Sequence, residues 1–229
     1  MEIITDCKQG SDTWFQHRLC SLGASSMAKV LAKGQGRKDL LEKYALEYRT
    51  GEKTETYASK DMQDGIDAEP FIRKEYEFIT GNKVETVALV KSDIPKLHVS
   101  PDGLIRKDGG LEVKKRIRKV QFSYALARKK GWVDAWKNTK KQERLTQGIP
   151  SNPEYIQVQT SLWVAKRTFW DYCSATVIIK EDGSMEFDYK MGDYIIIQRV
   201  YRDEPFIKTI ETEVKKFLQE LDELLKTVG

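Results

Sequence analysis

Apolar residues recur at three- and four-residue intervals in several stretches of the 229-residue chain, and these stretches predict its helices. A short helix is expected around Trp14 to Leu19. Gly23-Ala24-Ser25 then reads as a turn and cap that open a second helix through Met27, Val30 and Leu31. Asp39 to Tyr48 keeps helical spacing. From Lys60 to Ile79 the positions Met62, Ile66, Phe71, Ile72, Tyr76 and Ile79 do so as well, with Gly81-Asn82 as the stop. Pro153 to Val164 predicts another helix. The stripe Phe206, Ile210, Val214, Phe217, Leu221 and Leu224 predicts a long amphipathic one whose apolar side packs onto a core.

Between the helices lie short runs bounded by turn residues, which predict strands at Val84 to Val90, Lys96 to Ser100 and Leu111 to Lys115. Asp108-Gly109-Gly110 is a hairpin signal between the last two. Further strands are expected over Phe169 to Ile179 and Met185 to Tyr189, joined by a turn at Glu181-Asp182-Gly183-Ser184. Helices, then strands, then a helix and more strands describe a mixed α/β domain around one central sheet. No linker, internal repeat or low-complexity tract divides the chain, so residues 1–229 are expected to form one domain.

Composition narrows the picture. Apolar residues make up 40% and charged residues 32%, as in ordinary water-soluble proteins, and no apolar run approaches the ~20 residues that cross a bilayer. The N-terminal Met1 to Asp6 lacks the basic and apolar regions of a secretory signal, so a cytoplasmic location is expected. Cys7, Cys20 and Cys173 are scattered, and with His17 and His98 as the only histidines a zinc or iron–sulfur site is poorly supported. A metal here would be held by oxygen. The net charge of +4 averages two unlike regions. Lys114 to Leu145 holds twelve Lys or Arg against Asp134 and Glu143, a local +10 that leaves −6 on the remainder. Such clustering marks a polyanion partner, or else a solvated charged face.

The chemistry-bearing stretch is Ser100-Pro101-Asp102-Gly103-Leu104, followed after seven residues by Glu112-Val113-Lys114. Side chains alternate along a strand, so Glu112 and Lys114 share one face, while Val113 packs on the other and leaves its carbonyl available at the strand edge. A hairpin return brings Asp102 alongside Glu112. Two close carboxylates repel unless a cation lies between them, and a divalent ion with oxygen ligands suits both the site and phosphodiester chemistry. Lys114 can steady charge developing on phosphate. By itself the pattern also fits a surface ion pair on a hairpin. Glu69, in Gly65 to Arg73, and Gln157, in Tyr155 to Gln159, lie on helices that can reach such a site, or are plain surface polar groups.

Taken in order, these motifs resemble the phage-type alkaline exonucleases, the lambda exonuclease or YqaJ-like viral recombinase family of PD-(D/E)XK nucleases. The resemblance begins at Gln9 to Trp14 with Arg18-Leu19 and Ala24-Ser25. It passes through Gly65 to Arg73, Ser100 to Leu104 and Leu111 to Lys114, and ends at Gln157-Val158-Gln159 with Leu162-Trp163-Val164. It implies a restriction-endonuclease-like core, a central mixed β-sheet flanked by helices. It also implies 5′-to-3′ digestion of one strand of linear double-stranded DNA, by a homotrimeric ring that works with a single-strand annealing protein. By the same resemblance Asp102, Glu112 and the Val113 carbonyl hold Mg2+, two ions per site with Mn2+ as a substitute. Lys114 is the catalytic lysine, Glu69 and Gln157 support the site, and Arg18 and Ser25 hold a terminal 5′-phosphate. An Arg fork beside a hydroxyl at a helix N-terminus is a sound anion site; without the resemblance the two residues are a surface charge and an N-cap.

Two departures stand out: Lys115-Arg116 replaces a common Cys-Pro, and Thr160 replaces a common Tyr. The segment at about 116–150 reads as a basic insertion. Lys115 just before it and its Arg116, Arg118 and Lys119, with Trp132 and Trp136, are expected to follow DNA, the tryptophans either stacking on an unpaired base or packing the loop onto the domain. Competing expectations are an endonuclease of the same metal-dependent class and a catalytically silent duplex-DNA-binding module.

Overall fold

The computed structural model describes residues 1–54, 59–129, 148–149 and 151–228. Trp132 and Trp136, expected at the DNA, lie outside the described residues. The elements run β1 (Glu2–Ile4), α1 (Asp12–Arg18), β2 (Leu22–Gly23), a 3-10 turn (Ala24–Ser26), α2 (Met27–Ala32), α3 (Gln35–Thr50) and α4 (Lys60–Thr80). Next come β3 (Val84–Glu85), β4 (Leu89–Lys91), β5 (Leu97–Val99), β6 (Gly103–Ile105), β7 (Gly109–Lys115) and α5 (Arg118–Lys129). The chain continues with α6 (Asn152–Val164), β8 (Phe169–Ala175), β9 (Val177–Ile179), β10 (Met185–Phe187), β11 (Ile195–Tyr201) and α7 (Glu204–Val228).

The expected helices are present. The central sheet is mixed, in the order β11-β8-β7-β6-β3, with β7 and β8 parallel and the other pairs antiparallel. Period-2 alternation sorts its residues onto two faces. Leu111, Val113, Phe169 and Cys173 pack against Ala68, Ile72 and Tyr76 of α4. Leu104, Trp170 and Tyr172 join the larger core formed with α2, α3, α6 and α7, where Phe206, Ile210, Val214, Phe217 and Leu221 of α7 are all buried. With both faces covered, the central strands carry large apolar side chains on both sides. No helix among the described residues is long and apolar enough to cross a membrane.

Several expected strands are divided differently. Val84 to Val90 is two strands in two sheets, because the chain leaves β3 and enters a smaller sheet of order β1-β4-β5-β2. Phe169 to Ile179 breaks at Thr176, after which β9 pairs with β10 alone. Lys96 to Ser100 is not the hairpin partner of Leu111 to Lys115. That partner is β6, which pairs Gly103 with Leu111 and Ile105 with Gly109. The turn is Arg106-Lys107-Asp108, with Arg106 left-handed at φ 50°. Gly109 and Gly110 lie inside β7, where the missing Cβ matters: one added there would come within 2.2 Å of the Phe169 ring and 2.3 Å of the Trp170 ring. The small sheet and β11, which pairs β8 along all seven residues, are additions to the single sheet expected.

Candidate active site and phosphate-binding cleft

Asp102 precedes β6, so the antiparallel register sets it beside the continuation of β7 past the last paired residue. There its Oδ2 accepts a 2.6 Å hydrogen bond from the Val113 N–H. In an extended strand the N–H and C=O of one residue point the same way, so the Val113 carbonyl is also directed toward Asp102. The Glu112 side chain lies on the sheet face covered by α6. It is 2% exposed, and its Oε1 accepts from Gln157 Nε2 at 2.7 Å and pairs with Lys114 Nζ at 2.5 Å. Glu69 approaches from the other side on α4. Arg73, one helical turn further on, donates to Glu69 Oε1 at 2.7 Å and to the Asp102 carbonyl at 2.8 Å, tying the helix to the β6 entrance.

The electrostatics follow from this crowding. Burial, and then the charges of Glu112 and Glu69, push the Asp102 carboxyl well above the usual carboxylate range. Burial also raises Glu69, against the pull of Arg73. For Lys114 burial opposes the charge, but Glu112 and Asp102 outweigh it and hold the ammonium above the ordinary lysine value. Lys114 is therefore a fixed cation. Three carboxylates face two cations, Lys114 and Arg73, an imbalance that a divalent ion corrects. All the ligand atoms are hard oxygens, which suits such an ion. Among the described residues the one trio of acidic, thiol or imidazole groups whose ligand atoms all lie within 4.8 Å is Asp6, Cys7 and His17. That trio does not include Asp102, Glu112 or Glu69.

A cleft of about 1130 Å³ is lined by Glu69, Arg73 and Asp102 together with Trp14, Arg18 and Ser26 of the N-terminal elements. Arg18 and two of the site's acids, Glu69 and Asp102, thus face one space. The Arg18 guanidinium lies over the Trp14 ring at 3.9 Å, and its Nε donates to His98 Nε2 at 3.0 Å. Ser25 is exposed in the 3-10 turn, whereas its neighbour Ser26 lines the cleft and hydrogen-bonds with Tyr44.

The described basic residues are largely engaged with acids. Lys115 pairs with Asp64 at 3.3 Å, Arg116 with Glu154 and the Tyr172 hydroxyl, and Arg118 with Asp188. Lys115 and Arg116 are turned inward, while Arg118 and Lys119 stay at the surface. Sequence reasoning gave no role to Arg73, Glu154 or His98. Arg73 was detectable as the i+4 partner of Glu69; nothing local marks the other two.

An acid-rich strand edge with an embedded lysine, on a mixed sheet covered by helices, defines a PD-(D/E)XK-type nuclease. The comparisons agree. Residues 13–168 match the model of the YqaJ-like viral recombinase domain, and the chain belongs to that family. It is similar to two crystal structures of an alkaline exonuclease, LHK-Exo, from Laribacter hongkongensis, one of them in complex with dAMP. For each of the two structures the identity is 26%, the TM-score 0.74, and the coverage 95% of this chain and 96% of the other. A phage-related exonuclease from Haemophilus somnus 129PT shares the fold at 15% identity and TM-score 0.63, over 91% of this chain and 96% of its own. No curated protein matches this chain. The protein is thus a nuclease, of a family that uses divalent metal.

Proposed function

We propose that the protein is a 5′-to-3′ exonuclease that digests one strand of linear double-stranded DNA from a 5′-phosphorylated end, leaving 3′ single-stranded tails for annealing-type recombination. The observation that carries this reading is the shared cleft, which Arg18 lines together with Asp102 and Glu69. An enzyme that cuts internally has no need of a terminal-phosphate anchor beside its acidic site.

In this reading Asp102, Glu112 and the Val113 carbonyl hold Mg2+, two ions per site, with Mn2+ as a substitute. The bound ion supplies Lewis-acid polarisation of the scissile phosphate. Lys114 holds its positive charge beside Glu112 and steadies negative charge on the phosphate oxygens. Gln157 fixes the Glu112 carboxylate, and Arg73 fixes Glu69. Arg18, with Ser25 at the turn, receives the terminal phosphate and registers the strand end. Lys115, Arg116, Arg118 and Lys119 belong to the basic segment assigned to the duplex, of which Arg118 and Lys119 are the exposed contributors. The working form is a homotrimeric ring in the cytoplasm, partnered by a single-strand annealing protein.

The test is digestion of a linear duplex, labelled in one strand and carrying 5′-phosphate or 5′-hydroxyl ends, with magnesium or EDTA, beside a closed circle. Magnesium-dependent loss of the 5′-phosphorylated strand with the circle intact is expected. Cutting of the circle would replace this reading with an endonuclease, and binding without cutting would replace it with a silent duplex-binding module.

A further inference from the structure

His98 is 2% exposed and has no part in the acid–lysine chemistry. It sits in β5, two residues before the Ser100-Pro101-Asp102 run, and the parallel pairing of β5 with β2 sets it opposite Gly23. Both ring nitrogens are engaged: Nε2 meets Arg18 Nε at 3.0 Å and Nδ1 meets Ser21 Oγ at 2.8 Å. Because a guanidinium only donates, Nε2 must be the acceptor, so the ring proton lies on Nδ1 and is given to Ser21. Burial, and then the Arg18 charge, push the imidazole down to about 3, so it remains neutral and accepting across the working pH range. Gly23 keeps this space open. A Cβ at that position would lie 3.2 Å from His98 Nε2 and 3.7 Å from an Arg18 terminal nitrogen.

We propose that His98 is a positioning residue that orients Arg18 for the terminal 5′-phosphate, so that end selectivity depends on the Ser21–His98–Arg18 relay as well as on Arg18 itself. An arginine side chain has several rotatable bonds and loses much rotamer entropy when it is fixed. Here two contacts restrict that freedom: the Trp14 ring takes the guanidinium face and His98 takes Nε, while Ser21 accepts from His98 Nδ1 and holds the imidazole in place. With Nε occupied, recognition falls to the two terminal nitrogens, whose paired N–H groups match two phosphate oxygens. A 5′-phosphomonoester offers more charge and more terminal oxygens than an internal diester, so a preoriented fork favours the end over the middle of a strand. Removing His98 leaves Arg18 charged but no longer aimed.

This inference rests on the 5′-phosphate reading, and its test separates the two. The wild type, Arg18→Ala, His98→Ala and His98→Gln would be compared by digestion of 5′-phosphorylated and 5′-hydroxyl linear duplexes in magnesium. Binding of the same duplexes would be measured by fluorescence anisotropy in EDTA. Gln can accept from Arg18 through its carbonyl and donate through its amide, so it imitates the relay. His98→Ala is expected to lower the phosphate-to-hydroxyl ratio about tenfold, in rate and in binding, as loss of one charge-assisted hydrogen bond implies. His98→Gln is expected to restore most of it. A wild-type ratio in folded His98→Ala, or equal loss on both kinds of end with no rescue by His98→Gln, would overturn the positioning role alone. A wild type that does not distinguish the ends would overturn the phosphate reading and this inference with it.

Discussion

Asp102 shows how one side chain can be placed by backbone pairing. Its carboxylate is held by the Val113 N–H at 2.6 Å, at the point where β6 has ended and β7 continues. Arg73 braces the same residue through its carbonyl and carries Glu69 with it. Arg73→Ala should therefore loosen the site without removing any acid. A magnesium titration of the digestion rate is expected to show about 10- to 100-fold weaker metal dependence or activity, the usual effect of losing a group that orients ligands. An unchanged titration would remove Arg73 from the site. His98 makes a separate prediction about stability. Its folded-state value of about 3 lies below the unfolded 6.5, so the unfolded chain binds the extra proton between those values. Stability should fall as pH drops through that window, by up to about 1.4 kcal/mol per pH unit. Urea melts at pH 6 and pH 4 should show a smaller drop for His98→Gln than for the wild type; equal drops would mean that His98 titrates normally.

At the scale of elements, the strand faces were legible because alternation is a local property. Glu112 and Lys114 do share a face, and Asp102 does come alongside Glu112. The hairpin partner was not legible. β6 is only Gly103-Leu104-Ile105, too short for periodicity to show, and the two glycines that resembled a turn serve instead to admit aromatic rings from β8. Gly110→Ala tests that explanation. Its Cβ would meet the Trp170 ring, in a strand bonded on both sides, so denaturant unfolding should show destabilisation of about 1–3 kcal/mol. A wild-type midpoint would show that the ring can move away. The break at Thr176 was hidden for a different reason: Phe169 to Ile179 is apolar enough for one strand, and only tertiary pairing divides it between β8 with β11 and β9 with β10.

At the scale of the molecule, the acidic site is assembled from four places: Glu69 on α4, Asp102 before β6, Glu112 to Lys114 on β7 and Gln157 on α6. Their residue types and order carried the family resemblance, so this part of the site could be read without coordinates. The surroundings of Arg18 could be read only in part. Arg18 was visible as a motif residue, but the contacts that fix it come from Trp14, four residues earlier, and from His98 on a strand far along the chain. Charge clustering was a cruder guide. It located the basic segment but did not show that Lys115 and Arg116 turn inward to Asp64 and Glu154.

Glu112 and Lys114 are assigned to the hydrolytic centre. Their role is tested by the release of nucleotides from a linear duplex in magnesium by the wild type, Glu112→Ala and Lys114→Ala, with circular dichroism to confirm folding. Each variant should bind duplex yet lose at least about 100-fold in rate, the effect of deleting a group that stabilises transition-state charge. Digestion at the wild-type rate by either folded variant would contradict the assignment.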